Sequence, residues 1–124
     1  MKGKTVLIVD DDEDIRMMLR AFLERCDFEA KEASNAWQAL AALQMPVDLV
    51  ILDLRMPFDV SGGDLIKTLE SLGRTTPIIV LSGWTQDLDR ATLPSFVRAV
   101  VDKPVRLDDL RATIERVMLG TDPN

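Results

Sequence analysis

The chain has 124 residues, of which 47% are hydrophobic and 29% charged, at a net charge of −6. That suits one compact domain with a real core, and its acidity disfavours direct contact with nucleic acid or anionic membranes. With no histidine and a single cysteine, Cys26, a Ser-His-Asp triad, a His- or thiolate-ligated zinc, an internal phosphohistidine and a disulfide framework are excluded.

The elements follow in chain order. Thr5–Val9 is a short apolar run that predicts a buried strand. Ile15, Met18, Leu19, Phe22 and Leu23 recur at i, i+3, i+4, i+7, i+8, one apolar face of a first helix. Phe28 and Ala30, with polar Glu29 and Lys31, predict a weaker strand at a sheet edge. Asn35 or Ser34 can cap a second helix carrying Leu40 and Leu43. Leu49–Leu52 is a third strand. Leu65, Leu69 and Leu72 mark a third helix closed by Gly73. Ile78–Leu81 is a fourth strand, followed after Thr85 by a short fourth helix ending near Pro94. Val97–Val101 is a fifth strand, and Leu110, Ile114 and Val117 mark a fifth helix. Residues 1–119 read as one domain and residues 120–124 as a flexible tail or linker start. No apolar run is long enough to span a bilayer and no signal peptide is evident, so a reducing, cytoplasmic setting is expected.

Strand and helix alternating five times predict an α/β fold: one doubly wound (βα)5 domain around a five-stranded parallel sheet, with helices on both faces. In such sheets ligands bind beyond the carboxyl ends of the strands. The polar residues gather at that edge. Asp10 and Asp11 follow the first strand, Asp53 ends the third, Ser82 ends the fourth and Lys103 follows the fifth. Asp10 and Asp11 open a run of five acids. Two carboxylates about 4 Å apart repel by roughly 4 kcal/mol at an effective dielectric of about 20, and a divalent ion would relieve this. Oxygen-only ligation points to Mg²⁺. A metal, a lysine and a hydroxyl around Asp53 would stabilise a transferring phosphoryl group, making Asp53 a nucleophile that forms an aspartyl phosphate.

VLIVDDDED, DLRMP, LSGW and DKP, in that order and spacing, resemble the receiver domain of bacterial two-component response regulators. The likeness covers essentially the whole chain and implies the CheY-like strand order 2-1-3-4-5. Carried over by position, it implies that Asp10 and Asp11 are the acidic metal pair and Asp53 the phosphoacceptor and a ligand. It makes the Arg55 backbone carbonyl the remaining ligand, Ser82 the switch hydroxyl and Lys103 the family's lysine. It also implies a phosphoryl donor on a separate histidine kinase or histidine phosphotransfer protein. Phosphorylation would remodel the face of the fourth helix, fifth strand and fifth helix for a downstream effector or output domain, with dimerisation on phosphorylation allowed. Kinase docking is expected at Arg16 and Met17. Arg55 and Trp84, two residues beyond Asp53 and Ser82, are expected to screen the aspartyl phosphate from water and prolong its lifetime.

The sequence departs from the family pattern in three places. Val100 stands where an aromatic usually serves as rotamer switch. The loop PFDVSGGD reads as one residue longer than usual, and LPSFVRA replaces the common Gly-Ala step before the fifth strand. These changes bear on output rather than on the acid chemistry. A first rival is therefore a receiver-fold interaction module that no longer depends on phosphorylation. A second is a Mg-dependent phosphatase with Asp10-x-Asp12 as its nucleophile motif, which leaves Asp53 unexplained. Flavodoxin-type FMN binding ranks last, since the acidic first loop repels a phosphate. The leading reading is a switch with self-directed chemistry, not a turnover enzyme. Singly the site residues have ordinary readings: Asp53 as a helix cap, Ser82 as a turn residue, Lys103 as a loop lysine. Cys26 is expected as a small buried hydrophobe and Trp37 as packing. Met17, roughly 160° around the helix from Ile15, should face solvent.

Overall fold

The computed structural model describes residues 3–53, 62–83 and 93–120. Among these, five strands form one sheet: β1 (Thr5–Val9), β2 (Glu29–Ala33), β3 (Leu49–Leu52), β4 (Ile78–Ser82) and β5 (Val97–Asp102). The order is β2-β1-β3-β4-β5 and every pairing is parallel. Four helices are described: α1 (Glu13–Arg25), α2 (Ala36–Ala42), α3 (Gly62–Ser71) and α4 (Leu107–Leu119). The helix expected after Thr85 falls largely on residues 84–92, outside the described residues, so α4 corresponds to the fifth expected helix.

Period-two alternation divides the strands between two cores. Val6 and Ile8 of β1, Leu49 and Ile51 of β3, and Ile79 and Leu81 of β4 pack with Leu19, Phe22 and Leu23 of α1 and Leu110, Ile114 and Val117 of α4. Leu7, Val9, Val50, Leu52, Ile78 and Val80 face the other way, onto Ala36 and Ala39 of α2, its C-cap Leu43, and Leu65, Ile66 and Leu69 of α3. Burial on both faces explains why these strands read as unbroken apolar runs.

The edges behave differently. β2 is an edge strand, as its mixed pattern predicts. β5, although its Val97–Val101 run is largely apolar like the central strands, is the opposite edge, as the order 2-1-3-4-5 implies, and is only half-buried. Its pairing with β4 slips at Arg98, so that Ile78 faces Val97 and Ile79 faces Ala99. This one-residue bulge puts Val97 and Val100 on the α2–α3 side although they are three residues apart.

Helix ends obey local chemistry. Asp12 caps α1, its carboxylate accepting from the Asp14 and Ile15 amides at 2.9 and 3.3 Å, and Asn35 caps α2 by accepting from Gln38. α3 closes at Gly73 (φ +71°), where the Gly73 and Arg74 amides donate to the Glu70 and Leu69 carbonyls, the Schellman pattern. Leu72, expected on the buried face of that helix, lies just past its end and is exposed. Met18 is also largely exposed, and Trp37, expected as packing, is 69% exposed on α2. Cys26, expected as buried, is half-buried as the C-cap of α1, against the α1–α4 core.

The same closure ends α1, with Asp27 at φ +69° donating to Glu24 while Phe28 donates to Leu23. A residue with a Cβ is strained in the left-handed region, and glycine is not. Asp27→Gly is expected to stabilise the domain by about 0.5–1 kcal/mol, read as a rise in the midpoint of urea unfolding with an unchanged slope.

Candidate functional site

The strand order reverses between β1 and β3, the neighbours from which the chain winds in opposite directions. Crossovers leave on opposite faces there, which opens a crevice at the carboxyl ends. Asp10 and Asp53 sit one residue past these two strands, and the Asp53 amide donates to the Val9 carbonyl at 2.9 Å. Both are buried, at 3% and 7% exposure, whereas Asp11 is exposed.

Lys103 reaches in from the end of β5, where the Lys103–Pro104 peptide is cis. Its Nζ donates to Asp10 Oδ2 at 3.0 Å and lies 3.5 Å from Asp53 Oδ2. Burial acts to lower the Lys103 pKa. The hydrogen bond and charge of Asp10, with the charge of Asp53, outweigh that and hold it above the ordinary lysine value. Lys103 is therefore a permanent cation between two buried carboxylates. The other Asp10 oxygen, Oδ1, accepts from the Asp12 amide at 3.0 Å.

Carboxylate oxygens of Asp10, Asp11 and Asp53 lie within 4.8 Å of one another. Octahedral Mg²⁺ holds oxygens at about 2.1 Å, so that its ligands lie roughly 3 to 4 Å apart. Small side-chain adjustments would bring the three carboxylates to that spacing. The donors are all hard oxygens, and exposed Asp11 leaves room for retained waters, so the residues present fit Mg²⁺.

Among the remaining expected site residues, Ser82 ends β4 opposite Asp102 of β5, its side chain lying outside the described set. Arg55 and Trp84, expected around the phosphoryl group, and the loop at residues 57–61 also lie outside the described residues. Val100 is half-buried opposite Val80 and packs on the α2–α3 side. Met17 faces solvent at 59% exposure. Arg16, expected beside it as a docking residue, turns inward, with a side chain only 14% exposed. Its Nη1 donates to the Asp10 carbonyl at 2.7 Å and its Nε to Glu32 at 3.1 Å. Arg20 donates to the same Glu32 at 2.6 Å. That bond, with help from Arg16 and against the effect of burial, holds the Glu32 carboxyl below its ordinary range.

This arginine–glutamate group was missed from sequence although a signal was present. Glu32 lies two residues from Ala30, hence on the strand face that packs against α1. An acid on a helix-covered face requires a cation there, and Arg16 and Arg20 stand one turn apart on that helix.

Comparison with known proteins agrees with this geometry. Residues 6–115 match the family described as the response regulator receiver domain. The phosphate regulon transcriptional regulatory protein PhoB of Pseudomonas aeruginosa is 34% identical over 127 residues, covering 99% of this chain and 55% of PhoB. A putative transcriptional regulator of Haloferax volcanii is 31% identical over 94% of this chain but only 19% of its own length. The chain thus spans about half or less of these curated relatives. The response regulator TrrA of Thermotoga maritima, solved in complex with Mg²⁺–BeF, superposes with a TM-score of 0.80 at 29% identity, covering 92% of this chain and 98% of that one. The chemotaxis response regulator CheY4 of Vibrio cholerae gives 0.81 at 28% identity, covering 94% and 99%. A family match over most of the chain, joined to the 2-1-3-4-5 sheet and an acidic cluster at its switch point, establishes that the chain belongs to the response regulator receiver domains of two-component systems.

Proposed function

We propose that this domain is a phosphorylation-activated signalling switch whose phosphoacceptor is Asp53. The observation that carries this is the buried Asp53 carboxylate, held beside the Lys103 ammonium and grouped with two further carboxylates. Asp10, Asp11 and Asp53, with the Arg55 carbonyl, would hold Mg²⁺. When bound, the ion would neutralise charge on the transferring phosphoryl oxygens. An Asp53 oxygen attacks phosphorus while the phosphorus–nitrogen bond of a partner's phosphohistidine breaks, its electron pair returning to the imidazole. Lys103 opposes the charge that develops beside Asp53, and the Ser82 hydroxyl donates to a phosphoryl oxygen.

The partners are a histidine kinase or histidine phosphotransfer protein, docking on the exposed flank of α1 around Met17, and a downstream effector or output domain reading the β5–α4 face. A phosphorylation-dependent dimer through that face belongs to the same reading. The setting is cytoplasmic; no helix among the described residues is long and apolar enough to cross a membrane. The chemistry is self-directed: the domain accepts one phosphoryl group and later loses it to water, with Arg55 and Trp84 slowing that loss. Val100, lacking an aromatic ring, leaves Ser82 as the switch residue. The same valine favours the second reading, an interaction module indifferent to phosphorylation.

Intact-mass spectrometry after incubation with acetyl phosphate and Mg²⁺ tests the central chemistry. Wild type is expected to gain one phosphoryl group and Asp53→Asn none; no gain in wild type would favour the phosphorylation-independent module. Followed over time, the adduct should decay faster in Trp84→Ala combined with Arg55→Ala, and equal decay would reject the screening role.

A further inference from the structure

The Asp10–Asp11 peptide is gripped by more than the sheet. The Asp10 amide donates to the Ala33 carbonyl of β2 at 3.1 Å. The Asp10 carbonyl accepts from Arg16 Nη1 at 2.7 Å, and Arg16 is in turn held by Glu32, also on β2. The Arg16 side chain is only 14% exposed, and the other Glu32 oxygen is held by Arg20. A planar fork held at two points fixes the orientation of the carbonyl it binds. That carbonyl begins the peptide whose two flanking side chains are Asp10 and Asp11.

We infer that Arg16, oriented by Glu32, is a positioning residue that sets the Asp10–Asp11 peptide and so aims both carboxylates at the divalent cation. This rests on the metal reading proposed above. Apart from the Arg16 bond, Asp10 is held by its amide on the Ala33 carbonyl and by its side chain, Oδ1 by the Asp12 amide and Oδ2 by Lys103, and none of these grips its carbonyl. Without the Arg16 bond, the peptide between the two acids could rotate and carry Asp11, the exposed member, out of line. A rigid outer layer of this kind strengthens metal affinity by keeping ligands in place before the ion arrives.

The sign of the effect separates positioning from plain electrostatics. A guanidinium acting only as a nearby positive charge repels Mg²⁺, so its removal would tighten binding. A positioning role predicts the opposite. Titration calorimetry with MgCl₂ on the whole chain is expected to show Arg16→Gln binding about tenfold more weakly than wild type. Glu32→Gln, which keeps the guanidinium but loosens its hold, should show a smaller loss. Arg16→Lys, which keeps the charge but loses the fork, should not restore wild-type affinity. Ile114→Val, which loosens the α4 core away from the site, should leave Mg²⁺ affinity unchanged, so that a general loss of stability is distinguished from misaimed ligands. Should Arg16→Gln fail to fold, Arg16→Lys and Glu32→Gln carry the test.

Mg²⁺ affinity in Arg16→Gln equal to or tighter than wild type would overturn the inference while leaving the metal site intact. An absence of heat in wild type would overturn the metal reading itself, and this inference with it.

Discussion

Lys103→Met is expected to slow phosphoryl acceptance from acetyl phosphate on the order of 100-fold, the usual effect of deleting one preorganised positive group beside developing charge. The physical basis is its place between the two buried carboxylates, 3.0 Å from Asp10 and 3.5 Å from Asp53. The substitution also acts on stability. Breaking a buried ion pair by removing one partner costs about 3–5 kcal/mol. Lys103 keeps 24% of its side chain exposed, so a loss of about 2 kcal/mol is expected in metal-free buffer. Added Mg²⁺ would supply the missing positive charge and recover much of that loss. It would not recover the rate, because an ion bound by the carboxylates cannot stand where the ammonium stood. Urea unfolding with and without Mg²⁺, beside initial rates by mass spectrometry, separates the two effects. A variant that phosphorylates at near wild-type rate would remove Lys103 from the chemistry.

Ile8→Ala is expected to destabilise the domain by about 3 kcal/mol or more, within the range for emptying a buried aliphatic site. Ile8 lies at 0% exposure on β1, flanked by β2 and β3, and packs in the core beneath α1 and α4. Strands on both sides prevent β1 from collapsing into the space left behind. A domain of this length has a total stability of roughly 6–18 kcal/mol, so the loss is a large share of it. Trp37→Ala deletes far more side chain, yet at 69% exposure it should change stability by no more than about 0.5 kcal/mol. Comparing the two urea midpoints tests whether burial, rather than side-chain size, governs stability here. A larger loss at Trp37 would mean that α2 packs differently from the described structure.

What the sequence determined by itself is what local chemistry and periodicity encode. β1 and β3 were legible to the residue because doubly buried strands are unbroken apolar runs, and Asn35 and Gly73 mark helix ends through their own side-chain and backbone preferences. Strand ends also placed Asp10, Asp11, Asp53 and Lys103 at one edge, since a parallel sheet aligns every carboxyl end. Tertiary structure decided what depends on partners distant in the chain. β5 carries a largely apolar run like those of the doubly buried strands, but its half-burial and its bulge at Arg98 arise from lying at an edge with β4 on one side only. Met18 and Trp37 carry apolar side chains, yet the sheet beneath their helices is already covered by their neighbours, so both face outward. Arg16 is the sharpest case. Position on α1 alone permits it to meet solvent or a docking protein. Only the parallel pairing that brings Glu32 beside Ile8 turns it inward, because a half-buried acid and a backbone carbonyl at that spot both call for a donor.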